Sequence, residues 1–103
     1  MSLIEKMMQA RDHDISEETA KSLVKNQWPS VRIILAQNLA VSQEILKALS
    51  TDENATVRWN VLLNDNSPIE FVFEFSQDND SAIKKQAIKM LEEMSENQEN
   101  ILT

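Results

Sequence analysis

The sequence predicts an all-α protein built from repeated pairs of short helices, and three observations lead there. Val31-Arg32, Val57-Arg58 and Ile83-Lys84 recur at intervals of 26 residues, and Leu23 keeps step with Leu49 and Phe75. A fixed period of this length marks supersecondary units that bury their apolar faces only against their neighbours. The chain also contains no glycine and only two prolines, Pro29 and Pro68. Tight β-hairpins draw on glycine for positive φ, so its absence favours short helices joined by Asn, Asp and Ser turns. Finally, the apolar residues fall in columns with helical spacing.

Folded on its period, the chain divides into two kinds of segment. The second kind comes first, at 3–12, and returns at 30–38, 56–64 and 82–95. The first kind lies at 16–25, 42–51 and 68–77. This makes about three and a half repeats of 26 residues in a single domain over 1–95, followed by a polar tail at 96–103 that is expected to fray.

In first-type helices, Thr19/Ile45/Phe71, Ala20/Leu46/Val72 and Leu23/Leu49/Phe75 share one face, being offset by zero, one and four positions. In second-type helices the inward columns are Val31/Val57/Ile83, Leu35/Val61/Ala87 and Ala36/Leu62/Ile88. Ser67-Pro68 reads as an N-cap followed by proline at the first helical position. Asn38 and Asn64, one period apart, fall where a second-type helix ends and where Asn accepts the left-handed conformation. Asp52-Glu53-Asn54 and Asp78-Asn79-Asp80 precede helices whose dipole favours a carboxylate. Trp28-Pro29-Ser30 replaces that acidic turn at the least regular joint, and Trp28 is expected to plug the first repeat.

The stretch VRIILAQNLAVSQEILKALSTDENATVR, residues 31–58, resembles the variant leucine-rich repeat, a relative of the HEAT-like helical repeats. The resemblance rests on Val31, Arg32, Leu35, Ala36, Asn38, Leu46, Leu49, Asp52, Val57 and Arg58. It continues at Val61, Asn64, Pro68, Val72, Asp78 and Ile83, and covers roughly residues 14–91. Leu62 stands where alanine is usual, Lys84 replaces arginine, and Asn26 takes the turn position of Asp52 and Asp78. The iron–sulfur cysteines of some variant-repeat proteins are missing. The resemblance implies a short right-handed HEAT-like/LRV-like solenoid and is silent on the ligand.

Composition narrows function. Hydrophobic residues make up 42% of the chain, enough for a folded core, and there is no cysteine for a disulfide or thiolate site. Without a signal-peptide layout or an apolar run of membrane-spanning length, the expected location is cytoplasmic, with no membrane partner. A formal charge of −7, with basic residues scattered, argues against direct nucleic-acid binding. Asp12-His13-Asp14 imitates a small metal site but lacks a second His or Cys, and neighbouring helical residues diverge. Asp78-Asn79-Asp80 starts like a calcium loop without its glycine and closing glutamate. No nucleophile–base pair or phosphate-cradling loop is present, so neither an enzyme nor a cofactor is expected.

Arg32, Arg58 and Lys84 recur with the period, so they are read as scaffold, bonding acidic turns such as Asp52 and Asp78. The residues that change from repeat to repeat are the candidate protein-binding surface. Met7, Met8, Ile33, Ile34, Trp59 and Leu63 form an apolar strip on second-type helices, fading into Lys85 and Lys89. The expected function is non-enzymatic protein–protein interaction, with a homodimer among the partners. The rival is a small acidic inhibitor that mimics nucleic acid and binds a nucleic-acid-processing protein.

Overall fold

The computed structural model describes the backbone of residues 2–102 and the side chains of residues 2–96. Among the described residues it is all-α, with seven helices and no strand. In order they are α1 (Leu3–Arg11), α2 (Glu17–Leu23), α3 (Pro29–Gln37), α4 (Gln43–Leu49), α5 (Ala55–Leu63), α6 (Ile69–Phe75) and α7 (Ser81–Leu102). Helices α1, α3, α5 and α7 begin at 3, 29, 55 and 81, and α2, α4 and α6 begin at 17, 43 and 69. Every start therefore repeats at the period read from the sequence. The backbone of the tail expected to fray at 96–103 is described as far as Leu102, within α7, while its side chains after Glu96 lie outside the described residues.

The chain forms two compact units, Met1–Ser67 and Pro68–Thr103. In the first, α3 packs against both α1 and α5, while α2 and α4 pack on the second-type helices that flank them in sequence. Its core holds Ala10, Ala20, Leu23, Val31, Leu35, Ala36, Ile45, Leu46, Leu49, Val57, Val61 and Leu62, all at most 2% exposed. In the second unit α6 packs on α7 around Phe71, Val72, Phe75, Ile83 and Ala87. The apolar columns thus point inward with one exception. Ile88, expected inside with Ala36 and Leu62, is 38% exposed. In the first unit α3 lies between two second-type helices, whereas within the second unit α7 has only α6 to cover it.

The joints explain how the chain turns without glycine. At each of them a side-chain oxygen accepts the backbone N–H two residues further on: Asp12 from Asp14, Asn26 from Trp28, Asn38 from Ala40, Asp52 from Asn54, Asn64 from Asn66 and Asp78 from Asp80, over 2.8–3.0 Å. Such Asx turns reverse the chain at negative φ. Accordingly, no described residue has positive φ. The left-handed expectation for Asn38 and Asn64 is therefore corrected: their φ values are −76° and −71°.

Asn38 and Asn64 also tie repeats together. The Asn38 amide donates to the Ala10 and Asp12 carbonyls, both at 2.9 Å. One period later the Asn64 amide donates to Ala36 and Asn38, at 2.8 and 3.1 Å. These carbonyls end α1 and α3, where intrahelical partners run out. One amide thus closes its own turn and caps the preceding second-type helix.

The helix starts follow the same register. Ser16 and Ser42 accept from the N–H groups of Thr19 and Ile45. The matching residue for α6 is Pro68, an N-cap in extended conformation without a side-chain bond, not the first helical residue. Ser67 is correspondingly not the cap; its hydroxyl donates to the Val61 carbonyl at 2.6 Å. Proline does occupy the first position of α3, at Pro29 after the half-buried Trp28.

Asn38→Ala removes a buried donor pair and opens a turn. It is expected to cost about 3 kcal/mol, because each stranded carbonyl costs on the order of 1–3 kcal/mol. Asn38→Asp should cost at least as much at neutral pH, since a carboxylate would face two carbonyl oxygens. Urea unfolding followed by circular dichroism measures both; an unchanged midpoint would contradict the ladder.

Candidate protein-binding surface

Arg32 is 7% exposed and forms a fork with Asp52: Nε–Oδ2 at 2.8 Å and Nη2–Oδ1 at 3.3 Å. Its Nη1 donates to the Asn26 carbonyl at 2.5 Å. Arg58 repeats that third contact one period on, donating to the Asp52 carbonyl at 2.8 Å and to Glu53 at 3.3 Å. The expected Arg32–Asp52 pair is present, and its side chains are 9% and 7% exposed. Lys84 departs from the pattern and is exposed. A hollow of about 520 Å³ beside the pair is lined by residues including Lys25, Arg32, Asp52 and Glu53. With the fork committed to Asp52 and Asn26, Arg32 stiffens the joint between α4 and α5.

The six candidate residues of the first unit lie on its second-type helices. Met7, Ile33, Ile34 and Trp59 are half-buried, and Met8 and Leu63 are 63% and 44% exposed. They belong neither wholly to the core nor wholly to solvent. Each leaves part of an apolar side chain open to solvent. Gln37 donates through Nε2 to Asn60 Oδ1 at 3.2 Å, which joins α3 and α5 across this face. Between α1 and α3 a shallow hollow of about 320 Å³ is lined by Arg11, Ile34, Gln37 and Asn38. The strip is therefore an apolar band with an amide bridge and one cation set into it. Lys85 and Lys89 are both exposed and stand on α7 in the second unit.

Asp12, His13 and Asp14 bring ligand atoms within 4.8 Å of one another, and all three are exposed. The divergence expected of helical neighbours does not apply, because α1 ends at Arg11 and the triplet is a turn. Asp12 Oδ1 already accepts the Asp14 N–H at 2.8 Å. In Asp78-Asn79-Asp80 the carboxylates likewise serve the backbone: Asp80 Oδ1 accepts from Ala82 and Ile83 at 3.0 and 3.1 Å. The calcium-like start is a turn and a helix cap.

Six large exposed apolar residues among those described stand outside the expected strip, Ile4, Leu39, Ile69, Phe73, Ile88 and Met94, and two of them lie one turn apart on α6. Ile69 and Phe73 on α6 are 48% and 56% exposed. Their register-mates are Glu17 and Gln43 for Ile69, and Lys21 and Lys47 for Phe73. The apolar break in two otherwise polar columns was a signal available in the sequence. Among the described residues no helix is long and apolar enough to cross a membrane.

No known protein-family model matches this chain. No match emerged from the curated proteins or from the solved structures either.

Removing one member of a buried ion pair strands the other charge, which costs about 3–5 kcal/mol. Asp52→Ala is accordingly expected to lower stability by about 3 kcal/mol or more, whereas Glu53→Ala, at an exposed neighbour, should stay within about 0.5 kcal/mol. Thermal and urea unfolding of the two variants side by side tests this, and equal losses would refute a structural role for the fork.

Proposed function

We propose that this chain is a short right-handed helical-repeat solenoid of the variant leucine-rich type that holds another protein. The solenoid reading is supported by helix starts that keep one period throughout. It is supported also by the Asn38 and Asn64 amides, which make equivalent bonds one repeat apart. The binding reading rests on one observation: the half-exposed apolar band of Met7, Met8, Ile33, Ile34, Trp59 and Leu63 across α1, α3 and α5. Aromatic side chains are favoured interface anchors because they bury large area at small entropic cost, and methionine because its flexible, polarizable thioether adapts to the partner.

In this reading Trp59 is the rigid anchor, Ile33 and Ile34 extend the apolar floor, and Met7 and Met8 adapt to the partner at one end. Arg11 and the Gln37–Asn60 bridge supply polar contacts that fix its direction. The fitting partner is a segment with a continuous apolar stripe, such as an amphipathic helix. The cysteine-free composition suits a cytoplasmic protein. The acidic-mimic reading has weaker support. Its exposed carboxylates Glu18 and Glu44 each have a lysine three residues on, Lys21 and Lys47, so that face carries both signs.

Trp59→Ala and Ile34→Glu should each weaken capture of the protein partner from native lysate by roughly thirtyfold, the loss of one interface anchor, while helicity is unchanged. Unfolding of both variants would instead make these residues core and end the proposal. Capture that persists in high salt favours the apolar band over the acidic rival, whose binding would be screened.

A further inference from the structure

The repeat supplies its own control for which surface residues the fold needs. At the outer face of a first-type helix, α2 carries Glu17 and Lys21, and α4 carries Gln43 and Lys47. All four are exposed, so the scaffold folds with polar side chains there. In α6 the same two positions hold Ile69 and Phe73, still 48% and 56% exposed. They lie one turn apart on a helix of seven residues, IEFVFEF. Beside them Glu70 and Glu74, also one turn apart, are exposed, and α6 holds no cation. This is an apolar ridge edged by a row of negative charge.

The complementary surface is in the same unit. On α7, Lys85 and Lys89 are exposed and one turn apart, and Ile88 beside them is 38% exposed. From Glu92 onward the helix is acidic, so the basic stretch is about as long as α6. The two lysines repeat the spacing of Glu70 and Glu74, about 6 Å along a helix axis. Two ion pairs can therefore form together over an apolar contact between Phe73 and Ile88.

We infer that a second copy of this chain docks here, α6 of one copy lying on α7 of the other in a two-fold dimer. Two-fold symmetry uses the contact twice, once in each direction, as isologous interfaces require. The doubling brings the interface toward the roughly 800 Å² per partner typical of specific association. Ile69, Phe73 and Ile88 supply the apolar centre, and the Glu70/Glu74 and Lys85/Lys89 rows form a charged rim that sets register and rejects the α6-on-α6 alternative. The α1–α3–α5 band takes no part in this contact, so dimerisation and partner capture stand or fall separately.

Sedimentation velocity over a wide concentration range is the primary test, and the expected result is a concentration-dependent dimer. Phe73→Lys copies the residue that α2 and α4 already hold at this position, so folding should survive. It is expected to weaken the dimer by roughly thirtyfold. The decisive arm uses charge reversal. Glu70→Lys with Glu74→Lys, and separately Lys85→Glu with Lys89→Glu, should each leave the protein monomeric, because α6 and α7 then carry the same sign. Mixed in equal amounts, the two variants should form a heterodimer, since both contacts are again between opposite charges. A wild-type protein that stays monomeric at every concentration overturns the inference, even if it captures a basic amphipathic peptide through Phe73. So does a wild-type dimer whose reversed variants fail to pair on mixing.

Discussion

The structure depends on one small constraint, the side-chain oxygen that takes the N–H two residues on at every joint. A chain without glycine has no inexpensive route through positive φ, so its turns must be made from ordinary backbone conformations. Asp12, Asn26, Asn38, Asp52, Asn64 and Asp78 meet that requirement at alternating intervals of fourteen and twelve residues. Those intervals add to the period, so the turn residues set helix length as well as direction. At Asn38 and Asn64 an amide is needed, because the carbonyls of Ala10 and Ala36 require a donor that aspartate lacks. Asp12 stands one period before Asn38, and there a carboxylate makes the turn with an acceptor, as Asp52 and Asp78 do in the alternate turns.

The same economy governs Arg32. A buried guanidinium is costly unless its donors are matched, and here a fork to Asp52 and a bond to the Asn26 carbonyl match them. Asp52 is occupied twice over, accepting Asn54 N–H within its own turn and Arg32 across the joint. Turn, cap and ion pair are thus one connected polar element. Among the described residues no buried side-chain donor or acceptor lacks a partner. A prominent, recurring charged residue is in this case part of the frame, since its guanidinium nitrogens all donate within the fold.

The frame, once subtracted, leaves two kinds of surface with different physical status. The band on α1, α3 and α5 consists of apolar side chains that are partly covered by neighbouring helices and partly open. Its residues therefore contribute to stability as well as to any contact they make. Ile69 and Phe73 are different, since polar residues fill the same columns in α2 and α4 without loss of the fold. Apolar exposure that folding does not require is the stronger sign of an interface. The rarer departure from a repeating column thus carries more information about association than the more extended strip.

Much of the fold was legible in the sequence because helical periodicity and a fixed repeat are local properties. The seven helices, their register and nearly all of the buried columns follow from spacing alone, since residues one turn apart must share a face. The Arg32–Asp52 pair was legible for the same reason: a recurring cation facing a recurring turn leaves few other partners. Joint chemistry was not, because whether Asn38 sits in left-handed or Asx geometry depends on what its amide meets 28 residues away. Pro68 and Ser67 were misplaced by one position for want of that context. Exposure, too, was decided only by tertiary structure. A column places Ile88 on the inward side, but burial requires a neighbouring helix to cover it, and no pattern within α7 can supply one. The sequence by itself determined which residues share a face, because backbone geometry repeats; the tertiary structure decided which faces are covered, because coverage depends on packing.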